Sequence, residues 1–305
     1  MASSESPLIV VGIGASAGGL ESLKEFFDSI RPDSGLAFIV IQHLAPSRDS
    51  YMAEILRNHT RMRVIEAKNK LTIEANSVYT IPPNQFLKIE HGRIRVTDPQ
   101  TSDGIRMPID FFFRSLAESQ HERAICILFS GSGSDGTLGL REVRAAGGLT
   151  IVQKPETAQF DAMLRSAIAT GMVDLILPLR EIAEIVQRYV PQIRSDTVNE
   201  EREKFEQLDS ILDILTLHSG SDFSAYKKST LLRRIDRRMG LNHLTGLAEY
   251  MQLLLNNPTE VKALAKDMLI GVSSFFRDAE AFEELQRAVI KPLVRDHSQH
   301  SSIRI

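Results

Sequence analysis

Cysteine and tryptophan are almost missing from this chain. Among 305 residues there is one cysteine, Cys126, and no tryptophan. One cysteine allows no disulfide within the chain, which fits a reducing compartment. Cys126 lies in an apolar run, Ala124 to Phe129, where a buried and unreactive thiol is expected rather than a nucleophile. Charge of one sign is not in excess either. The formal net charge is −3, so nothing draws the whole molecule toward nucleic acid or a membrane surface. No apolar run approaches the roughly 20 residues of a membrane-spanning helix. The opening Met1-Ala2-Ser3-Ser4-Glu5-Ser6 lacks the basic segment of a signal peptide, and the apolar run after it is too short for the hydrophobic region of one. A cytoplasmic protein is expected, with no membrane insertion and no nucleic-acid partner.

What is present is an alternation. Leu8–Ile13, Ala37–Ile41, Ser77–Ile81, Ile125–Phe129, Leu149–Val152 and Val173–Leu177 read as short apolar strands. Gly18–Ile30, Asp49–His59, Ile109–Ser119, Thr137–Ala146 and Met163–Ala169 read as helices between them. The pattern predicts an α/β domain with a doubly wound, mostly parallel sheet. Phe86–Val96, turning at Glu90-His91-Gly92, reads as an inserted hairpin. The texture changes near Arg180. A helix is expected to Pro191, then a charged linker or exposed helix from Arg194 to Glu206, then an all-α region to Val294. The expected division is residues 1–190, a linker at 191–206, a helical domain at 207–296, and the start of a further domain at 297–305.

The first strand runs into Gly12-Ile13-Gly14-Ala15-Ser16-Ala17-Gly18-Gly19. A strand that breaks into a glycine turn and enters a helix presents Ser16 beside unpaired N–H groups and a positive dipole end. The segment fits a dinucleotide-binding pattern, but that reading needs an acidic residue after the second strand. Gln42-His43 stands there instead. The segment also fits G-x-S-x-G, the turn of a nucleophilic serine. His43, after the second strand, supplies a base. Asp135, in Ser130-Gly131-Ser132-Gly133-Ser134-Asp135-Gly136 after a later strand, supplies an acid. Each has a plainer reading: Ser16 and Asp135 as helix N-caps, and His43 as a polar loop residue. Asp103, in another Ser-Asp-Gly, is a decoy. Three such residues at three strand ends of one sheet favour a hydrolase that needs no metal and no cofactor.

These motifs, from Leu8 to Pro178, resemble the catalytic domain of the CheB family of chemotaxis protein-glutamate methylesterases. The resemblance includes Gly-Ala-Ser-Ala-Gly-Gly around Ser16, Gln42-His43-Leu44, Tyr79-Thr80-Ile81-Pro82-Pro83, Pro108-Ile109-Asp110, Gly131-Ser132-Gly133-Ser134-Asp135-Gly136 and Ala145-Ala146-Gly147-Gly148. It implies Ser16 as nucleophile, His43 as base, Asp135 as orienting acid, and backbone amides of Ala17 and Ser132 as an oxyanion hole. Ser132 departs from a methionine often found there. The receiver domain that usually precedes this catalytic domain is not seen. The implied reaction is hydrolysis of a glutamyl methyl ester on a methyl-accepting chemoreceptor or similar signalling protein, with glutamine deamidation as a second activity. The alternative is a catalytically silent docking module of a sensory fusion protein.

From Asp222 to Leu285 the chain is similar to the N-terminal helical domain of CheR-type receptor methyltransferases. The similarity includes Phe223-Ser224-Ala225-Tyr226-Lys227, Leu232-Arg233-Arg234-Ile235-Asp236-Arg237-Arg238-Met239 and Ile270-Gly271-Val272-Ser273-Ser274-Phe275-Phe276-Arg277. It implies contacts to S-adenosylmethionine from Ser273 and Arg277, in a site incomplete here, so little methyl transfer is expected from what looks like a fragment of a fusion protein. Arg233, Arg234, Arg237 and Arg238 form a basic run on one broad side of a helix, readable as a solvated face or as a surface that docks an acidic receptor helix. A helix over Arg194–Glu206 is placed to lie across the Ser16 mouth and inhibit it.

Overall fold

A computed structural model of the chain describes residues 8–42, 51–99, 106–193, 198–219, 222–223, 226–242, 244, 246–269, 285 and 287. Its strands are β1 (Ile9–Ala15), β2 (Leu36–Gln42), β3 (Arg63–Glu66), β4 (Leu71–Thr72), β5 (Ser77–Thr80), β6 (Phe86–Glu90), β7 (Arg93–Thr97), β8 (Ile125–Leu128), β9 (Leu149–Gln153) and β10 (Leu175–Leu177). Seven of them form one sheet in the order β10-β9-β8-β1-β2-β5-β3, and every neighbouring pair is parallel. The other three form a small antiparallel sheet, β4-β7-β6. Its hairpin turns at His91 and Gly92, both at positive φ, as a right-twisted two-residue turn requires.

β1 lies at the centre and is buried throughout, so its run Ile9-Val10-Val11 meets apolar layers on both faces. On one face are α1 (Gly19–Asp28), α2 (Met52–Leu56) and α6 (Leu179–Ile193), with Phe26, Phe27 and Ile182 against Val11, Phe38 and Ile127. On the other are α3 (Pro108–Gln120), α4 (Thr137–Ala145), α5 (Ala162–Ala169) and the hairpin, with Phe112, Leu140 and Ile89 in one core with Val10, Ile39 and Cys126. Burial pushes the Cys126 thiol well above its ordinary value, which keeps it protonated and inert. The chain leaves β1 for β2 on one side and later returns to β8 on the other. That reversal opens a crevice at the carboxyl ends of these strands, where open α/β sheets bind their ligands.

Gly12 and Gly14 face α3. A Cβ at Gly12 would stand 2.8 Å from side-chain carbons of Leu116 and Phe112, and one at Gly14 would stand 2.4 Å from Ile109 Cγ2. These glycines let the helix seat directly on the central strand. The close approach of α3 accounts for both of them without a phosphate.

The helices α7 (Val198–Ser219), α8 (Lys228–Leu241), α9 (Leu247–Asn256) and α10 (Pro258–Met268) enclose a separate core that includes Leu208, Ile211, Phe223, Ile235, Tyr250 and Leu264. The described part of the expected linker, residues 198–206, is the first stretch of α7. Among the described residues no helix is long and apolar enough to cross a membrane. The chain divides into a unit over Met1–Ile270 and a second over Gly271–Ile305, of which only Leu285 and Arg287 are described. Within the first unit the helices join the α/β part through buried charges. Arg144 on α4 pairs with Asp174 and Asp267, and Arg237 on α8 pairs with the same two carboxylates. All four side chains are between 1% and 7% exposed. Arg237 Nε also donates to the Gly148 carbonyl at 3.2 Å, and Lys266 Nζ reaches the Gly171 carbonyl at 3.4 Å.

These joins locate α8 and α10 and change the expectation for the arginines. Gly148 and Asp174 immediately precede β9 and β10, so α8 and α10 dock on the amino-terminal edge of the sheet, opposite the edge that holds Ser16. These contacts do not place the helical part over the serine. Nor do the four arginines form one exposed face. Arg237 is inside the ion cluster, Arg238 pairs with the buried Glu260, and Arg234 is half-buried and donates to the Asp267 carbonyl. Arg233 is the exposed member of the four. Removing one partner of a buried pair leaves an uncompensated charge, at a cost of about 3–5 kcal/mol. Arg237→Ala is therefore expected to lower unfolding free energy in urea by about that amount, and Arg233→Ala to stay within about 0.5 kcal/mol of the parent. Equal effects would return Arg237 to the surface.

Candidate active site

Ser16 follows β1 directly, at the β1/β8 crevice. Its N–H donates to the Ser130 carbonyl at 3.0 Å and its carbonyl accepts from Gly19 N–H at 2.9 Å. The turn closes at Gly18, with φ of 70°, a left-handed conformation that suits glycine. A Cβ there would also lie 2.8 Å from Ser130 Oγ. Ser16 is half-buried, and a Cβ added at Gly131 would stand 3.0 Å from Ser16 Cβ and 2.4 Å from Met163 Cε. The amides of Ala17 and Ser132 donate to no acceptor among the described residues. Ala17 follows Ser16 at the end of β1, and Ser132 lies in the loop after β8, next to Gly131, which approaches Ser16.

Asp135 is 3% exposed. Its carboxylate does not cap its own helix, α4, whose N-cap position is Gly136. It caps α3 instead, where Oδ2 accepts Ile109 N–H at 3.1 Å and Oδ1 accepts Asp110 N–H at 2.9 Å. Asp110 returns the exchange by accepting Gly139 N–H on α4 at 2.6 Å. Each helix is thus capped by a carboxylate belonging to the other's segment, which satisfies amides that would otherwise be orphaned. Burial pushes the Asp135 carboxyl up to about 7, against the N–H bonds from Asp110 and Ile109, with the charge of Asp110 adding to the rise. Asp110 is raised as well, again chiefly by burial.

β2 pairs Gln42 with Ala15, so the two residues that precede His43 and Ser16 in sequence lie side by side. His43 itself, Asp103, Ser273 and Arg277 fall outside the described residues.

A model of the CheB methylesterase family matches residues 11–186. The chain belongs to that family. A second model, of the all-alpha domain of CheR methyltransferases, matches residues 206–269. The CheB catalytic domain from Thermotoga maritima aligns with a TM-score of 0.56 and 27% identity, covering 59% of this chain and 98% of that one. A putative protein-glutamate methylesterase/protein-glutamine glutaminase of Leptospira interrogans is 33% identical over 177 residues, 58% of this chain and 92% of that protein. An uncharacterized 104.1 kDa protein of Rhodobacter capsulatus is 37% identical over 278 residues. That match takes in 83% of this chain but 29% of the relative, so the chain spans under a third of that protein's length.

The α/β part is thus a CheB methylesterase domain, a fold of carboxylic ester hydrolases. Sequence reasoning missed two of its buried polar residues. Asp110 was visible only as part of Pro108-Ile109-Asp110, and Gln153 ends a strand with no motif around it.

The raised Asp135 carboxyl has a consequence for stability. Its unfolded value is near 3.8 and its folded value about 7. Between these, rising pH ionises the unfolded chain while the folded protein keeps its proton. Stability tied to this group is complete below about pH 4 and lost as pH rises through 7, by up to about 4 kcal/mol. Asp135→Asn should flatten that slope in urea titrations between pH 4 and 8. Identical slopes for parent and variant would refute the buried titration.

Proposed function

We propose that the methylesterase domain hydrolyses γ-glutamyl methyl esters on a methyl-accepting chemoreceptor or a similar methylated signalling protein. Ser16 is the nucleophile, His43 the base and Asp135 the acid that orients it. The Ser16 turn carries this reading: a strand-to-helix turn at the switch point of a parallel sheet, whose Ala17 amide lacks an acceptor among the described residues.

In the reaction, Ser16 Oγ bonds to the ester carbonyl carbon as its proton passes to His43. The carbonyl oxygen becomes an oxyanion, and the amides of Ala17 and Ser132 receive it, at about 3 kcal/mol per donor. Collapse breaks the bond to the methoxy oxygen, which takes the proton from His43 and leaves as methanol. Water, deprotonated by His43, then attacks the acyl-enzyme and frees glutamate and Ser16. Asp135 accepts the N–H groups of Ile109 and Asp110, and a carboxylate can accept several hydrogen bonds, an imidazole N–H among them. A protonated imidazole beside it draws the carboxyl back toward ionisation. A small hollow beside Gln42, lined by Ile81, Pro82, Pro83, Arg106 and Pro108, adjoins the end of β2. An amide carbonyl fits the same donors, so glutamine deamidation is a second activity of the site. The paired name of the Leptospira relative supports that extension.

Ser16→Ala is expected to abolish methanol release from a methylated receptor while circular dichroism stays unchanged. Retained release would remove Ser16 from the mechanism. Asp135→Ala should lower the rate more than about 100-fold, whereas Asp103→Ala leaves it near the parent value. Equal losses would leave the acid unassigned.

A further inference from the structure

Ser16 is not held by its own strand alone. Its N–H reaches one residue past the β1 ladder to the carbonyl of Ser130. Ser130 is 0% exposed, and each of its polar atoms is engaged. Its N–H donates to Gln153 Oε1 at 2.9 Å. Its Oγ accepts Phe160 N–H at 3.0 Å and offers its one proton to the carbonyl of Ala17 at 2.9 Å or of Phe160 at 3.2 Å. Gln153, also 0% exposed, accepts a second proton from Ser22 Oγ on α1 at 3.0 Å. Its Nε2 donates to the Thr157 carbonyl at 3.1 Å. The amide can stand only one way round, because a backbone N–H needs the oxygen and a carbonyl needs the nitrogen.

We propose that Gln153 and Ser130 are positioning residues for Ser16, joining β8, β9, α1 and the loop before α5 into one buried hydrogen-bonded support under the nucleophile turn. The inference rests on the reading of Ser16 as nucleophile and adds what keeps it in place. The carbonyl of Ser16 is fixed by Gly19 N–H, and the carbonyl of Ala17 by the Ser130 hydroxyl. The Ala17 N–H lies between these two carbonyls, and in a planar peptide it points away from the Ser16 carbonyl. Ser130 therefore holds the chain on both sides of this donor, through the Ser16 N–H and the Ala17 carbonyl, and Gln153 holds Ser130. Donors of this kind act only when pre-aimed, and a misplacement of about 1 Å costs up to about 100-fold in rate. Neither residue touches the ester. Their loss is felt in the chemical step and not in docking.

The test uses the 305-residue chain, a fluorophosphonate that labels reactive serines, and methanol release from a methylated receptor. Gln153→Leu keeps the size of the side chain and removes its polar atoms. It should lower the rate of Ser16 labelling and kcat together, each by about tenfold or more, with KM within twofold of the parent and the folded fraction unchanged by circular dichroism. A folded Gln153→Leu protein that labels at the parent rate overturns the proposal, as does a loss confined to KM. Should Gln153→Leu fail to fold, Ser130→Ala removes one hydroxyl in the same support. It should slow labelling at least fivefold, and an unchanged rate counts against the proposal equally. A parent chain that neither labels nor releases methanol defeats the nucleophile reading itself, and the positioning role with it.

Discussion

Two buried carboxylates hold the carboxyl edge of this sheet together. Asp135 caps α3 and Asp110 caps α4, so the amino ends of two helices on one face are bound by an exchange of acids. α3 is the helix that lies on Gly12 and Gly14 of the central strand. α4 is the helix whose far end carries Arg144 into the charged join with α8 and α10. A change at this exchange therefore moves α3 against β1, and with it the strand that delivers Ser16. It also moves the glycine loop that carries Ser132. The acid expected to orient a histidine is, in the same atoms, the acid that fixes the local frame.

The cap on α3 accounts for the depth at which Asp135 is buried. A carboxylate that only oriented a histidine could stand at the crevice rim. One that caps a helix beneath it must sit lower, where desolvation raises its proton affinity. The amides it accepts offset part of that cost. The Ser16 turn is built on the same plan, with the Ser16 N–H and carbonyl and the Ala17 carbonyl each paired off. Chemistry at this edge depends on which polar groups the fold has already satisfied.

Much of the fold was legible because its strands are central. β1, β2, β8 and β9 are apolar on both faces and stand out as runs. β3 did not stand out: Arg63-Val64-Ile65-Glu66 lies at the sheet edge with charged ends, and β4 has two residues. The hairpin was legible from His91-Gly92, since its turn chemistry is local. The glycines of β1 were legible as a motif but not in purpose, because α3 packs on them from far along the chain. Asp135 was legible as a candidate acid, with a cap on its own helix as the plainer reading, whereas the cap it makes is tertiary. Gln153 was not found at all, since nothing in a strand-ending glutamine announces its partners. The arginine run misled for a related reason. Helical spacing gave the face, but the acids that bury it, Asp174 and Asp267, lie on other elements.

Arg144, Arg237, Asp174 and Asp267 carry two positive and two negative charges in a dry contact. Two of them belong to the α/β part and two to the helices, one of each sign on either side. Within this cluster each half alone is therefore neutral, and so is the set of four. Another helical domain could be grafted onto this esterase, or this one onto another, without stranding a charge, provided the incoming helices bring both an arginine and an aspartate. The join works as a matched plug, with an exchange rule written in whole pairs.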